Sequence, residues 1–348
     1  MIGTVKMKAR AGSVVKMSLV LLCVGTRSPE WVCAHDADSD RQALQSYQPE
    51  QSVDGAIRIW GSPDDAALLQ DWAVGFRQFQ PQARIQETLY GPESTMAGVY
   101  NGVADLAFMA REMRLPVEDM AFTWVYRYKP FSVEIANAGL AADRPSANLA
   151  VVVNSASPLQ RLTLDQLDGI LGAEHRRGGA NLRRWGDLGL GDRWKRLPIH
   201  VYGPPVDSIA AIHVRSVVLR DSYKWNSAYR EMPGDDEQVL RAVARDPQGI
   251  GYARLDHSIR QIKPLALAAT GDARYFALTA QNVAERAYPL SRVITMVLNR
   301  EPGKPIEPKV KEFLRFILSR DGQAAIARDG HYIPLTAATA RAQLERLE

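Results

Sequence analysis

Phe313–Leu335 reads FLRFILSRDGQAAIARDGHYIPL, and its reading decides the fold. Val310, Phe313, Leu314 and Ile317 recur at helical spacing, so the stretch opens as an amphipathic helix whose apolar face needs a core to lie on. Gly322 and Gly330 punctuate the residues after it. Tyr332-Ile-Pro-Leu335 cannot extend a helix, because Pro334 lacks the N–H and clashes with the preceding turn. On residues alone this is a terminal helix packed on a core.

Upstream, strand and helix patterns alternate, which predicts an α/β fold. Ile57 and Ile59 alternate as a strand, and Leu69, Trp72, Ala73 and Phe76 stripe a helix. Ile85–Tyr90 and Ala104–Met109 read as further strands, with a helix opening at Met96. Leu149–Val153 is a continuous apolar run, the pattern of a buried strand. Thr163-Leu-Asp-Gln166 is a capping box that opens a helix to Leu171. Residues 172–184 read as a Gly- and Arg-rich loop. Ile199–Tyr202, Gly249–Ala253 and Val293–Leu298 are later strands, and Ile209–Leu219 and Glu237–Arg245 later helices. There is no internal repeat and no low-complexity tract.

The chain has 348 residues, 46% of them apolar, enough for two domains with real cores. Its N-terminus has the pattern of an export signal. Lys6, Lys8, Arg10 and Lys16 precede the apolar run Met17–Gly25, and Val32-Cys33-Ala34 offers a small-residue cleavage site. The expectation is a signal peptide over 1–34 and a polar, acidic, flexible leader over 35–54. Removing Lys6, Lys8, Arg10, Lys16 and Arg27 together with Glu30 takes the formal net charge from +4 to zero. The basic pI of about 9.0 therefore reports the signal segment and gives no footprint for nucleic acid. Cys23 and Cys33 both lie in that segment, so a mature chain holds no disulfide.

Six scattered histidines make no H-E-x-x-H and no Cys–His spacing, so no metal site is expected. No phosphate-cradling G-x-x-x-x-G-K-S/T loop and no G-x-S-x-G elbow occurs. The expectation is a protein without catalytic residues, metal or cofactor.

Open α/β sheets bind ligands beyond the carboxyl ends of their strands, where helix N-termini present free N–H groups. Three junctions have that character: Gly61–Asp65, Gly91–Thr95 and Pro204–Ser208. Ser62 is an N-cap with Pro63 at the first helical position and Asp65 completing a capping box. Ser62, Ser94, Thr95 and Ser208 are the candidate hydroxyl donors, each equally a plain helix cap. Asp64 either caps a helix dipole or accepts a proton from a partly protonated oxyanion. Arg111 ends a strand. It is read as a bidentate oxyanion clamp or as half of an ion pair with Glu112 or Asp105. Tyr252 is a candidate contact near a hinge, or core.

Eight segments, in order, carry a family resemblance. They are Gly61-Ser62, ADLAFMAREM (Ala104–Met113), LAVVVNSASPLQRLTLDQL (Leu149–Leu167), WGDLGL (Trp185–Leu190), Tyr202-Gly203, GIGYA (Gly249–Ala253), YPLSR (Tyr288–Arg292) and the closing stretch. Together, from about Ile57 to Leu335, the chain resembles bacterial periplasmic phosphate-binding proteins, the solute receptors of phosphate ABC importers. The resemblance implies a two-lobe type II periplasmic binding protein with a ligand cleft between lobes joined by two crossing hinge strands. Lobe one would comprise 55–149 and 290–348, and lobe two 150–289. It implies a periplasmic monomer that closes on phosphate or a related small oxyanion and docks on a membrane ABC permease, with no metal and no reaction. The three junctions depart from the family's pattern. Asp64 stands where the family has threonine, Pro92 and Glu93 enter a Gly/Ser-rich loop, and Pro204 and Ile209-Ala210 replace an arginine and a Gly-Thr pair. These changes motivate two alternatives: a receptor for another solute, and a regulatory or interaction protein without high-affinity phosphate binding.

Overall fold

The computed structural model describes residues 42–348 except 116, 145, 235 and 272. The expected signal peptide 1–34, both cysteines and residues 35–41 lie outside the described residues.

Strand β1 (Gly55–Trp60) points Ile57 and Ile59 into the core and leads, through the Ser62 turn, into helix α1 (Ala66–Phe79). Strand β2 (Ala83–Thr88) returns parallel to β1; helix α2 (Thr95–Tyr100) and strand β3 (Leu106–Met109) come next, β3 parallel on the other flank of β1. Helix α3 (Val117–Tyr126) and strand β4 (Phe131–Ala138) complete this part. The chain then crosses to strand β5 (Leu149–Asn154), whose six residues are all buried. Strand β6 (Arg161–Thr163) ends at the Thr163 cap of helix α4 (Leu164–Leu171). Both reciprocal bonds of the capping box are present there.

Strand β7 (His200–Gly203), helix α5 (Ile209–Val217), strand β8 (Tyr229–Glu231), helix α6 (Asp236–Arg245) and strand β9 (Gly249–Arg254) succeed one another. Strands β10 (Ile262–Pro264) and β11 (Ala266–Ala268) and the short helix α7 (Ala280–Ala284) precede the return crossing. Strand β12 (Val293–Leu298), helices α8 (Pro308–Leu318) and α9 (Arg320–Asp329), strand β13 (Tyr332–Ile333) and helix α10 (Ala337–Glu345) finish the chain.

The strands form a six-stranded sheet, β13-β4-β12-β3-β1-β2, a five-stranded sheet, β10-β5-β9-β7-β8, and the β11-β6 pair. The chain passes between the large sheets twice, before β5 and before β12, so the molecule has two lobes. Each has its own core. Trp72, Phe76, Phe313, Phe316 and Tyr332 fill the first, and Leu149, Trp185, Val201 and Tyr252 the second. Among the described residues no helix is long and apolar enough to cross a membrane.

The closing stretch ties the first lobe together. Ser319 ends α8 and caps α9, accepting from the backbone N–H groups of Asp321 (3.2 Å) and Gly322 (3.4 Å). Gly330 adopts φ 74°, the left-handed C-cap that favours glycine. Gly322 differs from its sequence reading. It breaks no helix but lies inside α9, where an added Cβ would collide with the Phe316 carbonyl and Ile317. Its own carbonyl accepts from Trp72 Nε1 at 3.0 Å. Gln323, fully buried, donates to the carbonyls of Ile317 and Ile135, each at 3.0 Å, and accepts from Leu335 N–H at 2.8 Å.

The described part of the expected flexible leader also differs. Leu44, Tyr47 and Val53 are buried in the lobe-one core, and Tyr47 donates its hydroxyl to Glu312 at 2.5 Å. Three well-spaced apolar side chains in an otherwise polar segment are enough to strap it down.

Candidate functional site: the cleft between the lobes

In lobe one the parallel strands β1, β2 and β3 end on one edge, and their loops are stitched together there. Gly91 N–H donates to Gly61 O at 3.2 Å, and Arg111 Nη2 donates to Pro92 O at 2.6 Å. Ser62, Ser94, Thr95 and Arg111 therefore gather at one strand-end edge. In lobe two, β7 and β9 run parallel, and the junction after β7 places Ser208 at the N-terminus of α5. The two edges meet where His213 of α5 lies 3.0 Å from Glu112, just beyond β3.

Each candidate side chain has a definite place. Ser62 caps its turn, its Oγ accepting from Asp64 N–H at 3.4 Å. Asp64 is exposed, and its carbonyl accepts from Arg144 Nη1 at 2.8 Å. The expected capping box is incomplete, because Ser62 Oγ accepts from Asp64 N–H and not from Asp65 N–H; the Asp65 carboxylate accepts from the Tyr332 hydroxyl at 2.5 Å. Burial pushes this carboxyl up to about 6, against the pull of Tyr332 and the Ser62 backbone. Ser94 and Thr95 both donate to Gly91 O, at 2.9 and 3.2 Å, so these hydroxyl protons are held within the loop. Ser208 accepts from Ala211 N–H at 3.2 Å, which leaves its hydroxyl proton available to donate.

Tyr252 lies in the lobe-two core, 1% exposed. Tyr229 donates to Pro204 O at 2.6 Å, so in the 2.6 Å contact between the two phenols Tyr252 is the donor. Both phenols are raised, first by burial, and Tyr252 stays neutral as a structural hydrogen-bond donor.

Arg111 is 4% exposed, and its fork grips Glu118 of α3 through Nη1 (2.9 Å) and Nη2 (2.6 Å). The two partners named from sequence are engaged otherwise. Glu112 gives Arg111 only its carbonyl, at 2.9 Å, and Asp105 pairs with Arg58 at 2.5 Å. Both terminal nitrogens of Arg111 thus meet internal acceptors, while its buried Nε has no hydrogen-bond partner.

Of the charges where the lobes meet, sequence named only Glu112, and as a partner for Arg111; Arg292 and His213 were given no role. Arg292, 1% exposed on the return crossing, donates to both Glu112 oxygens, Nε to Oε1 and Nη2 to Oε2, each at 2.9 Å. Its Nη1 donates to Ala147 O at 3.0 Å. His213 places Nε2 3.1 Å from Leu290 O and Nδ1 by Glu112, a close ion-pair contact without hydrogen-bond angles. Burial pushes the Glu112 carboxyl up, but Arg292 and then His213 outweigh it and hold it well below the usual range. Glu112 and Arg292 stand in two of the resemblance-carrying segments. Nothing in their spacing reveals that residues 180 apart would meet. Among the described residues no cluster suited to a metal ion occurs.

A two-lobed α/β body whose lobes meet at strand-end loops around the charged Glu112, Arg292 and His213 cluster has the form of a solute-binding protein, and comparison with known proteins agrees. Residues 145–321 match the sequence model of the PBP superfamily domain. The chain is 30% identical to the phosphate-binding protein PstS of Pseudomonas aeruginosa over 332 residues, 95% of this chain and 97% of that protein. It is 25% identical over 202 residues to the protein SphX of Synechococcus elongatus, 57% of this chain and 56% of that one. Among solved structures it resembles PstS from Borrelia burgdorferi, with TM-score 0.55, 14% identity, and coverage of 81% of this chain and 100% of that one. An ABC-type phosphate transport receptor from Vibrio cholerae matches with TM-score 0.51 and 21% identity over 80% and 99% of the two chains. The chain belongs to the PstS family of phosphate-binding proteins within the PBP superfamily.

Proposed function

We propose that this protein is an exported, periplasmic solute receptor that closes its lobes, 55–149 with 290–348 and 150–289, on phosphate or a related small oxyanion and presents it to an ABC permease. The observation that carries the reading is the 30% identity to a phosphate-binding protein across nearly the whole of both chains. The cleft chemistry supports it. Ser62 begins a short turn on lobe one and Ser208 caps α5 on lobe two, and in this reading the free N–H groups at those two starts would receive the anion. No chemical step is proposed.

A second reading, a relative that keeps the shell but binds phosphate weakly or not at all, draws on one observation. Arg111 and Arg292 are each gripped by an internal carboxylate, and Ser94 and Thr95 donate within their own loop.

Thermal unfolding with a panel of oxyanions separates the two. Phosphate at a hundred times its dissociation constant stabilises the folded state by about 2.7 kcal/mol. A phosphate-dependent rise in melting temperature is the expected outcome. No response to phosphate, sulfate or phosphonates supports the second reading.

A further inference from the structure

Helix α3 is apolar on two sides. Its inner side buries Phe122 against Met96, Val99 and Met109, and Glu118 is buried in the grip of Arg111. On its outer side Val117, Met120 and Trp124 recur at helical spacing and are 66%, 57% and 72% exposed. With Leu115 and Val125 they make five of the ten large hydrophobic side chains left exposed among the described residues. We propose that this face docks on an anionic membrane surface. Val117, Met120 and Trp124 enter the apolar boundary, and the cations around them meet lipid phosphates.

A surface helix ordinarily turns polar residues outward, and a contiguous apolar stripe without cover marks a binding face. Its size argues for lipid. Helix α3 has 10 residues. That is about 15 Å of helix, and one side of it falls well short of the roughly 800 Å² that each partner gives to a stable protein interface. A bilayer needs no matching relief, and it accepts a helix in its plane with tryptophan at the boundary. The charges are complementary to anionic headgroups. Arg127 lies 5.6 Å over the Trp124 ring and Lys129 follows it; both are exposed, and among the described residues neither is paired with a carboxylate. The acids nearby are mostly engaged: Glu118 by Arg111 and Glu93 by Arg114 at 2.6 Å, which leaves Asp119.

The face continues onto lobe two. The Tyr223 hydroxyl donates to Leu115 O at 2.9 Å, and Tyr223 is 61% exposed. Beside it Arg176 and Lys224 share the one carboxylate of Glu174, at 2.8 and 2.9 Å, and Arg176 donates to the carbonyl of exposed Arg220 at 3.0 Å. Three cations thus stand against Glu174 and Asp221 on this rim. Tyrosine and lysine both keep an apolar body in such a boundary and a polar tip in water. The docking surface is independent of the solute and of the permease.

Co-sedimentation with sucrose-loaded vesicles tests this. Protein of residues 35–348 keeps every described element and lacks the expected signal peptide, which would bind lipid by itself. It is mixed with equimolar phosphatidylglycerol–phosphatidylcholine vesicles and, separately, with phosphatidylcholine alone. Binding to the anionic vesicles is expected, weakened by added salt and much weaker on the neutral ones. Met120→Gln with Trp124→Gln changes exposed side chains only, so the fold should persist, checked by circular dichroism. That variant should lower the binding constant about tenfold or more. Arg127→Gln with Lys129→Gln should remove the preference for anionic lipid. Wild-type protein that stays in the supernatant overturns the proposal, as does binding that the Met120–Trp124 variant leaves intact. A dimer in analytical ultracentrifugation that the same variant dissociates, without vesicle binding, assigns the face to a second copy and also overturns it. Phosphate titration should be the same for wild type and variant, so the cargo is tested separately.

Discussion

Arg111 and Glu118 hold each other inside lobe one, so truncating the arginine strands a buried carboxylate. Arg111→Ala should lower the free energy of unfolding by about 3–5 kcal/mol in urea, and Arg111→Met with Glu118→Leu should recover most of it. A loss below about 1 kcal/mol for the single variant would show that the pair carries little of the stability. Asp65 makes a pH prediction of opposite sense to an ordinary ion-paired carboxylate. Its value is raised from 3.8 to about 6, so the folded state binds the proton more tightly than the unfolded chain does. Stability from this group is full below about pH 4 and declines as pH rises to about 6. The difference is about 3 kcal/mol when Asp65 is ionised. Asp65→Asn should gain about that much on the wild type between pH 4 and pH 7, and an equal difference at the two values would contradict the assignment. At this scale sequence was partly legible. Arg111 could be read as half of an ion pair, but its partner sits on α3, whose exposed Val117, Met120 and Trp124 mask any inward stripe.

The closing elements α8, α9 and β13 show how far a local pattern reaches. The apolar stripe Val310, Phe313, Leu314 and Ile317 was readable because α8 buries one face, and all four are buried. Gly330 was readable as punctuation because a left-handed cap favours glycine. Gly322 was not, since its reason is the backbone of α8 pressed against it, a tertiary fact. Two effects oppose each other at Gly322→Ala. Helix propensity favours alanine by up to about 1 kcal/mol, whereas overpacking against backbone costs about 1–3 kcal/mol. The collision is with carbonyl and Cα atoms that cannot rotate away, so the variant should melt lower than the wild type. A higher melting temperature would show that α9 can shift. The same stretch also reaches the cleft, for Tyr332 holds Asp65 in the first strand-end loop.

For the whole molecule, the alternation of strands and helices and the ordered segments Gly61 to Leu335 were enough to place the chain in a two-lobe class. What stayed illegible was the meeting of Glu112, His213 and Arg292, because it depends on how two separately folded lobes face each other. The departures in the three loops were visible in sequence. Their consequence, hydroxyls of Ser94 and Thr95 turned to Gly91 O, required the folded backbone. These features bear on affinity rather than on architecture. Isothermal titration of the purified, anion-stripped protein with inorganic phosphate is therefore the most direct test of phosphate binding. Saturable binding of one phosphate per chain is the expected result, and a titration with no binding heat across a range of temperatures would contradict it.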